Sequence, residues 1–282
     1  MRNDHKISTM RNVFIIFSLI TLASCSSSLK LAVPTVFKEQ ATMYHVSGSS
    51  RNKMSFGNYK SSKIKRGMHL TYPGWGRGFF LENLLLNEIG IQKSEHVQKE
   101  KAQFRYSLSD GKNTMEIFGK ERELTRSLQY KLLNTNSIFN SFERIQDHQY
   151  IFSAIIKTDI LQGEKTWELI MSNVYDRKKD TSKSLFTIIR PDDDGMAISG
   201  KDTIFIKPLS LKKVDSEKRK DARLLFKMLS GYELSTADGV IAVIDAIDSN
   251  IWFYNELSDA DKLLVASIST ALFARKVNDT KW

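Results

Sequence analysis

The residue best suited to covalent chemistry is Cys25, the only cysteine among 282 residues. It follows a basic start and an apolar run over residues 13–23. That run of eleven residues is too short to cross a bilayer as a helix, which needs about 20. A basic start, a short apolar run and small residues at its end, here Ala23 and Ser24, are typical of a secretory signal peptide. Among these small residues, the thiol is a nucleophile that processing enzymes can reach.

Residues 22–25 (LASC) resemble the lipobox of bacterial lipoproteins. The resemblance implies that the signal peptide 1–24 is removed and that Cys25 carries a diacylglyceryl group, with an acyl chain such as palmitate on the new N-terminus. Each buried CH₂ of such chains contributes about 0.8 kcal/mol, and two or more chains anchor a protein stably. Residues 25–40 then form a lipidated tether. The alternative is a free, buried cysteine behind an ordinary signal peptide.

A second group of residues is suited to binding without covalent chemistry. The segment 72–80 (YPGWGRGFF) places Tyr72, Trp75, Arg77 and Phe79 among three glycines. Exposed aromatic side chains on such a loop can stack on sugars or lie at a membrane interface. The alternative is a tight corner in which Trp75 and Phe79 fill the core. These four residues form the predicted binding loop.

The sequence contains no motif for a metal or a cofactor. The four histidines after residue 24 lack metal-ligand spacing, and no second cysteine can join them. The chain also lacks the nucleophile elbow of serine hydrolases, a Walker loop and a dinucleotide fingerprint. Three adjacent carboxylates at 192–194 could hold Ca²⁺, but without the spacing of an EF-hand, and a hairpin turn is the alternative. We therefore expect no cofactor and no metal, and we assign no catalytic residue.

The charge of the chain limits its partners. The net charge is +10, and removal of residues 1–24 takes away three basic residues and one Asp, which leaves +8. Outside the cytoplasm, a basic surface suits anionic lipid, acidic glycan or other envelope proteins, and nucleic acid is not an expected partner. Because basic clusters such as 63–66 (KIKR) and 177–179 (RKK) are spread along the chain, a merely solubilising surface is the alternative.

Alternation of apolar and polar residues predicts a mainly β protein. The clearest hairpin is 101–120, with apolar residues at alternate positions from Phe104 to Leu108 and a turn signal at Asp110-Gly111. About a dozen such short strands, without helix-length crossovers, predict an antiparallel barrel or sandwich. Residues 76–91 have near-helical spacing, and residues 216–230 fit either a short helix or a strand.

The segment 258–276 predicts a C-terminal helix. Ser258 can cap its N-terminus, and Asp261 lies in the capping-box position. Between Lys262 and Arg275 lie twelve residues without a charge, with apolar side chains on every side of the helix. Such a helix is buried in a protein core or in a membrane, and twelve residues do not span a bilayer. We therefore expect the strands to surround it.

Residues 231–272 resemble the end of the tubby-like, LURP-one and phospholipid-scramblase barrels. The shared features are Gly239 after a polar turn, a strand at 240–245 (VIAVID), an aromatic strand at 252–254 (WFY) and Asp261 at the start of an apolar helix. The resemblance implies a β-barrel closed around its C-terminal helix, and a membrane-proximal role or the binding of anionic lipid. It implies no binding residues, and nothing before residue 100 matches.

These patterns predict a single β-rich domain over 41–282, behind the signal peptide and the tether. The expected location is the bacterial cell envelope, lipid-anchored to the outer membrane and facing the periplasm. The expected function is a non-catalytic binding or scaffolding module, with the membrane and anionic lipid, glycan or envelope proteins as partners. The alternative is an envelope hydrolase that acts on glycans or lipids through carboxylates the sequence does not single out.

Overall fold

The structure is a computed structural model that describes residues 31, 33–49, 51–67, 100–131, 141–158, 165–176, 193–216 and 219–275. The chain divides into two units, residues 1–30 with 213–224 and residues 31–212 with 225–282. The larger unit contains both described helices and most of the strands. The predicted single domain over 41–282 includes residues of both units and stays a prediction.

The described elements are thirteen strands and two helices. The strands are β1 (Ala41–His45), β2 (Ser55–Phe56), β3 (Tyr59–Ser61), β4 (Lys65–Arg66), β5 (Glu100–Ser109), β6 (Thr114–Lys131), β7 (Ser141–Thr158), β8 (Thr166–Asp176), β9 (Asp194–Ser199), β10 (Asp202–Ser216), β11 (Arg219–Thr236), β12 (Gly239–Asp245) and β13 (Asn250–Tyr254). The helices are α1 (Thr35–Glu39) and α2 (Asp259–Phe273).

The strands form one antiparallel sheet in the order β1-β13-β12-β11-β10-β9-β8-β7-β6-β5-β3-β2, with β4 also paired to β5. Ser47, just after β1, exchanges backbone hydrogen bonds with Ser55, the first residue of β2. These bonds join the two ends of the strand order, so the sheet is nearly closed into a barrel. The predicted antiparallel barrel is confirmed, and the resemblance to the tubby-like barrels stays a prediction.

Helix α2 forms the centre of the core, as predicted. The Asp261 backbone N–H donates to Ser258 Oγ at 3.1 Å, and Ser258 Oγ donates to the Asp261 carboxylate at 2.6 Å, which completes the N-terminal cap. Every residue from Leu263 to Leu272 is buried, and the apolar ones lie in one cluster with inward-facing strand residues. Among the described helices, none is both long and apolar enough to cross a membrane.

The hydroxyl groups of α2 are all satisfied inside the core. Ser267 and Ser269 donate to backbone carbonyls one turn earlier, at 2.8 and 2.7 Å. Tyr106 on β5 donates to Thr270 Oγ1 at 2.8 Å. Because buried polar groups are costly without hydrogen bonds, these contacts let a helix with hydroxyl groups lie in an apolar core.

Several strands are longer than the short ones that the sequence predicted. Strands β6, β7 and β11 each have 18 residues, whereas strands usually have about 5–6. The ambiguous segment 216–230 is strand from Arg219 onwards, within β11. The predicted helix at 76–91 lies outside the described residues.

Within the acidic segment 192–194, Asp193 contributes to the core. Asp193 is 1 % exposed and forms an ion pair with Arg275, directly after α2. Tyr232 donates to the other oxygen of Asp193 at 2.7 Å, and Arg275 also donates to the Tyr232 hydroxyl. Gly195 lies in β9, where an added Cβ would be 2.1 Å from the Ile170 carbonyl oxygen. This glycine is therefore needed for close strand packing.

Candidate functional site

The pairing register changes along β5, and this change shapes the surface beside it. Strand β3 pairs Ser61 with Leu108, whereas β4 pairs Lys65 with Arg105, one residue out of step. A shift of one residue moves a side chain to the other face of the sheet. The segment between β3 and β4 therefore contains one residue more than the facing part of β5. This extra residue places Lys65 on the outer face of the barrel, directly opposite Arg105.

The segment between β3 and β4 keeps its contact with β5 through Ser62. Its backbone N–H donates to the Ser107 carbonyl at 2.8 Å, and its hydroxyl accepts the Ser107 N–H at 2.9 Å. The next residues turn inward, since Ile64 is buried and its N–H donates to the Asn52 carbonyl at 2.7 Å. Bulges of this kind commonly redirect side chains near functional sites.

An open cavity of about 210 Å³ lies beside this bulge. Basic side chains, two serines, one carboxylate and one buried ring line it. These residues are Ser62, Lys63, Lys65, Arg105, Tyr106, Ser107, Glu116 and Phe118. Pockets for drug-sized ligands usually measure about 300–1,000 Å³. The cavity therefore suits a small group and leaves the rest of a larger ligand outside.

The lining carries more positive than negative charge. Lys63, Lys65 and Arg105 against Glu116 give a net charge of +2. None of the three basic side chains forms an ion pair with a described residue. Like charges directly opposite each other on a sheet are destabilising. The pair of Lys65 and Arg105 is therefore unfavourable in the free protein, and an anion between them would relieve it.

The wall behind the cavity is held rigidly by the core. Tyr106 is buried and bonded to α2, while Arg66 lies over the Phe104 ring, with 5.6 Å between Cζ and the ring centroid. Burial raises the pKa of Tyr106, and its hydrogen bond with Thr270 and the charge of Arg66 only partly offset this rise. The Tyr106 phenol is therefore neutral and adds no negative charge behind the cavity.

The arrangement can bind an anion but does not match a known catalytic pattern. Glu116 is the one carboxylate in the cavity lining, whereas glycoside hydrolysis usually requires two. Within the described residues, no group of three or more His, Cys, Asp or Glu side chains could hold a metal ion.

Most of the sites predicted from sequence fall on residues that the structure does not describe. Cys25 and the predicted binding loop with Tyr72, Trp75, Arg77 and Phe79 are outside the described residues, so both stay predictions. The basic cluster 63–66 does contribute to the cavity, through Lys63 and Lys65.

Arg105 is the site residue that the sequence reasoning missed. Its alternation with the core residues Phe104 and Tyr106 places it on the outer face of β5. That position was readable from the sequence, but its pairing with Lys65, 40 residues earlier, was not.

Comparisons with known protein families, curated proteins and solved structures give no match to this chain.

Proposed function

We propose that this chain is a lipid-anchored module of the bacterial envelope that binds anionic groups in the cavity beside β4 and β5. The observation that carries the proposal is the pair of Lys65 and Arg105, placed opposite each other by a bulge and without a carboxylate partner among the described residues. Lys63 adds a third positive charge at the same cavity. A surface that only promotes solubility has no need to place like charges opposite each other.

The residue types indicate which anion fits. Arg105 offers a planar guanidinium that can bind two oxygens of a phosphate or carboxylate at once. Lys63 and Lys65 act as point charges with three donors each. The cavity of about 210 Å³ accommodates a phosphate-sized group. The shared ligand chemistry is therefore a phosphate group, on a lipid head group or on an envelope glycan.

The proposed anchor brings this cavity close to such groups. Pro34, which directly precedes α1, is nine positions after Cys25, and an extended chain spans at most about 3.3–3.6 Å per residue. In the proposed lipidated chain, α1 therefore begins within about 30 Å of the lipid surface. Anionic head groups attract basic segments with about 1 kcal/mol per Lys or Arg near the surface.

Vesicle sedimentation of a soluble Cys25→Ala protein tests the binding. The vesicles contain phosphatidylcholine with or without phosphatidylglycerol. The test variant replaces Lys63, Lys65 and Arg105 with Ser, and a control variant replaces three exposed lysines outside the cavity. The control residues are Lys53, Lys112 and Lys201. Both variants lose three charges, so only the cavity distinguishes them.

We expect the cavity variant to lose about 100-fold in affinity for the anionic vesicles, since three residues at about 1 kcal/mol each approach a factor of 10². The control variant should lose much less. Inorganic phosphate and a phosphorylated oligosaccharide, tested by calorimetry, distinguish a soluble source of the group from a lipid. Equal losses in the two variants, or no binding to any of these probes, would contradict the proposal.

A further inference from the structure

Among the strands that the structure describes, β1 pairs along one edge with β13 and has no neighbouring strand along most of its other edge. The Asn255 N–H donates to the Gln40 carbonyl at 2.9 Å, and the Val46 N–H donates to the Ser249 carbonyl at 2.7 Å. Alternate residues of an antiparallel strand point their backbone groups to the same neighbour. Since residues 40 and 46 bond towards β13, the even-numbered residues of β1 face β13. The odd-numbered residues face the opposite edge.

Among the described residues, the opposite edge is paired only at its end. Ser47 and Ser55 exchange two backbone hydrogen bonds, both 3.0 Å long. Strand β2 then ends at Phe56, and Gly57 turns away with φ of +50°. The ladder that begins at Ser47 therefore stops before it reaches β1.

Three residues of β1 consequently point unpaired backbone groups to this edge. Within the described part of the chain, the N–H and C=O groups of Ala41, Met43 and His45 have no backbone partner. Among the described residues, Met43 is one of three large apolar residues that are exposed, at 46 %. Natural edge strands are usually protected by Lys, Pro or a bulge, and β1 contains none of these.

We propose that β1 pairs antiparallel with β1 of a second copy, with the two Met43 residues opposite each other at a two-fold axis. The partner of such an edge must be another extended strand, because only an extended backbone has N–H and C=O groups at the matching spacing. The edge is self-complementary, because Ala41 of one copy lies opposite His45 of the other. No Lys, Arg, Asp or Glu lies within β1, so the pairing brings no such like charges together.

The choice of a second copy rests on the proposed function, through the anchor. Ala41 is only 16 residues after Cys25. Copies anchored in one membrane therefore keep their β1 edges at a similar height above it. This raises the effective concentration of one β1 edge around another. The pairing is isologous and closes at two copies.

Cysteine cross-linking with a short bis-thiol reagent tests the pairing and its register. In a hydrogen-bonded antiparallel pair, opposite Cα atoms are about 5.5 Å apart. A Met43→Cys protein should therefore form covalent dimers. In an Ala41→Cys protein, the two thiols are four residues apart along the strands, about 13 Å, and should not link. Adding His45→Cys to Ala41→Cys should restore the dimer.

A proline substitution separates backbone pairing from side-chain contact. Met43→Pro removes an N–H that points away from β13, so the barrel keeps its hydrogen bonds and circular dichroism should be unchanged. In the Ala41→Cys/His45→Cys protein, this change should abolish the dimer, whereas Met43→Thr should retain it.

The experiments use the lipidated chain in vesicles and the soluble Cys25→Ala chain at high concentration. A lipidated chain that fails to bind membrane contradicts the proposed anchor, while the soluble chain still tests the edge. Equal linking of the Met43→Cys and Ala41→Cys proteins would show random collision and overturn the pairing. Absence of the Met43→Cys dimer in both preparations would overturn it as well.

Discussion

Replacement of Arg275 with Met should reduce the free energy of unfolding by about 3–5 kcal/mol, because it leaves the Asp193 carboxylate buried without its cation. The Arg275 side chain is 4 % exposed and the Asp193 side chain 1 %, so the ion pair lies away from bulk water. Burial lowers the pKa of Arg275, but Asp193, Tyr232 and Tyr150 more than offset this, and the guanidinium stays charged. Met retains an apolar side chain in place of the aliphatic part of Arg275, so the substitution mainly removes the charge.

A double-mutant cycle identifies the cause of the loss. Asp193→Asn removes the carboxylate charge and keeps an oxygen that can accept from Tyr232. If the loss comes from an uncompensated charge, the Arg275→Met/Asp193→Asn protein should be more stable than Arg275→Met alone. A matched control is Lys165→Met, which breaks a 2.6 Å ion pair with Asp202 whose side chains are 51 % and 60 % exposed. Such surface pairs contribute about 0–1 kcal/mol.

Urea unfolding, followed by circular dichroism, measures these differences in the soluble Cys25→Ala protein. The account requires a large loss for Arg275→Met, partial recovery in the double variant and a small loss for Lys165→Met. A loss below about 1 kcal/mol for Arg275→Met would refute the reasoning, as would a double variant that loses the sum of both single changes.

Three further predictions concern packing, capping and pH. Gly119→Ala should destabilise the fold by about 1–3 kcal/mol, because its Cβ would lie 2.2 Å from the buried Phe104 ring. Adding Phe104→Leu to the Gly119→Ala protein should restore part of the lost melting temperature. An unchanged stability of Gly119→Ala would contradict the prediction, because it would show that the Phe104 ring can move aside. Ser258→Ala should cost about 0.5–2 kcal/mol in urea unfolding through loss of the α2 cap, while Ser258→Asp should cost little. Burial raises the pKa of Asp245, so its neutral form stabilises the folded protein at low pH, and this contribution is lost as the pH rises through that pKa. Asp245→Asn should therefore gain stability relative to the wild type between about pH 4 and neutral pH, and a difference in melting temperature that does not change with pH would contradict this.

Local patterns were sufficient to predict the central helix and an antiparallel β fold, either a barrel or a sandwich. The uncharged run between Lys262 and Arg275 is a property of consecutive residues. It is sufficient to predict that α2 is buried, without knowledge of the strands that pack against it. The turn at Asp110-Gly111 was equally local, and Gly111 takes the positive φ of 96° that such turns require. The Asp110 carboxylate accepts from two backbone N–H groups of the same turn.

Contacts between distant residues were beyond such patterns. Asp193 and Arg275 are 82 positions apart, and nothing near either residue indicates its partner. The cavity depends on the extra residue between β3 and β4, which decides the face on which Lys65 lies. A one-residue shift of register leaves no trace in the alternation of a two-residue strand.

The measurement that tests the central claim most directly is membrane partition of the wild type and of Cys25→Ala, with the intact mass of each. The account predicts that the wild type carries the added mass of lipid and sediments with membranes, whereas Cys25→Ala carries none and stays in the supernatant. If neither protein carries lipid and both stay in the supernatant, the anchor is wrong, and with it the membrane-held role of the basic cavity.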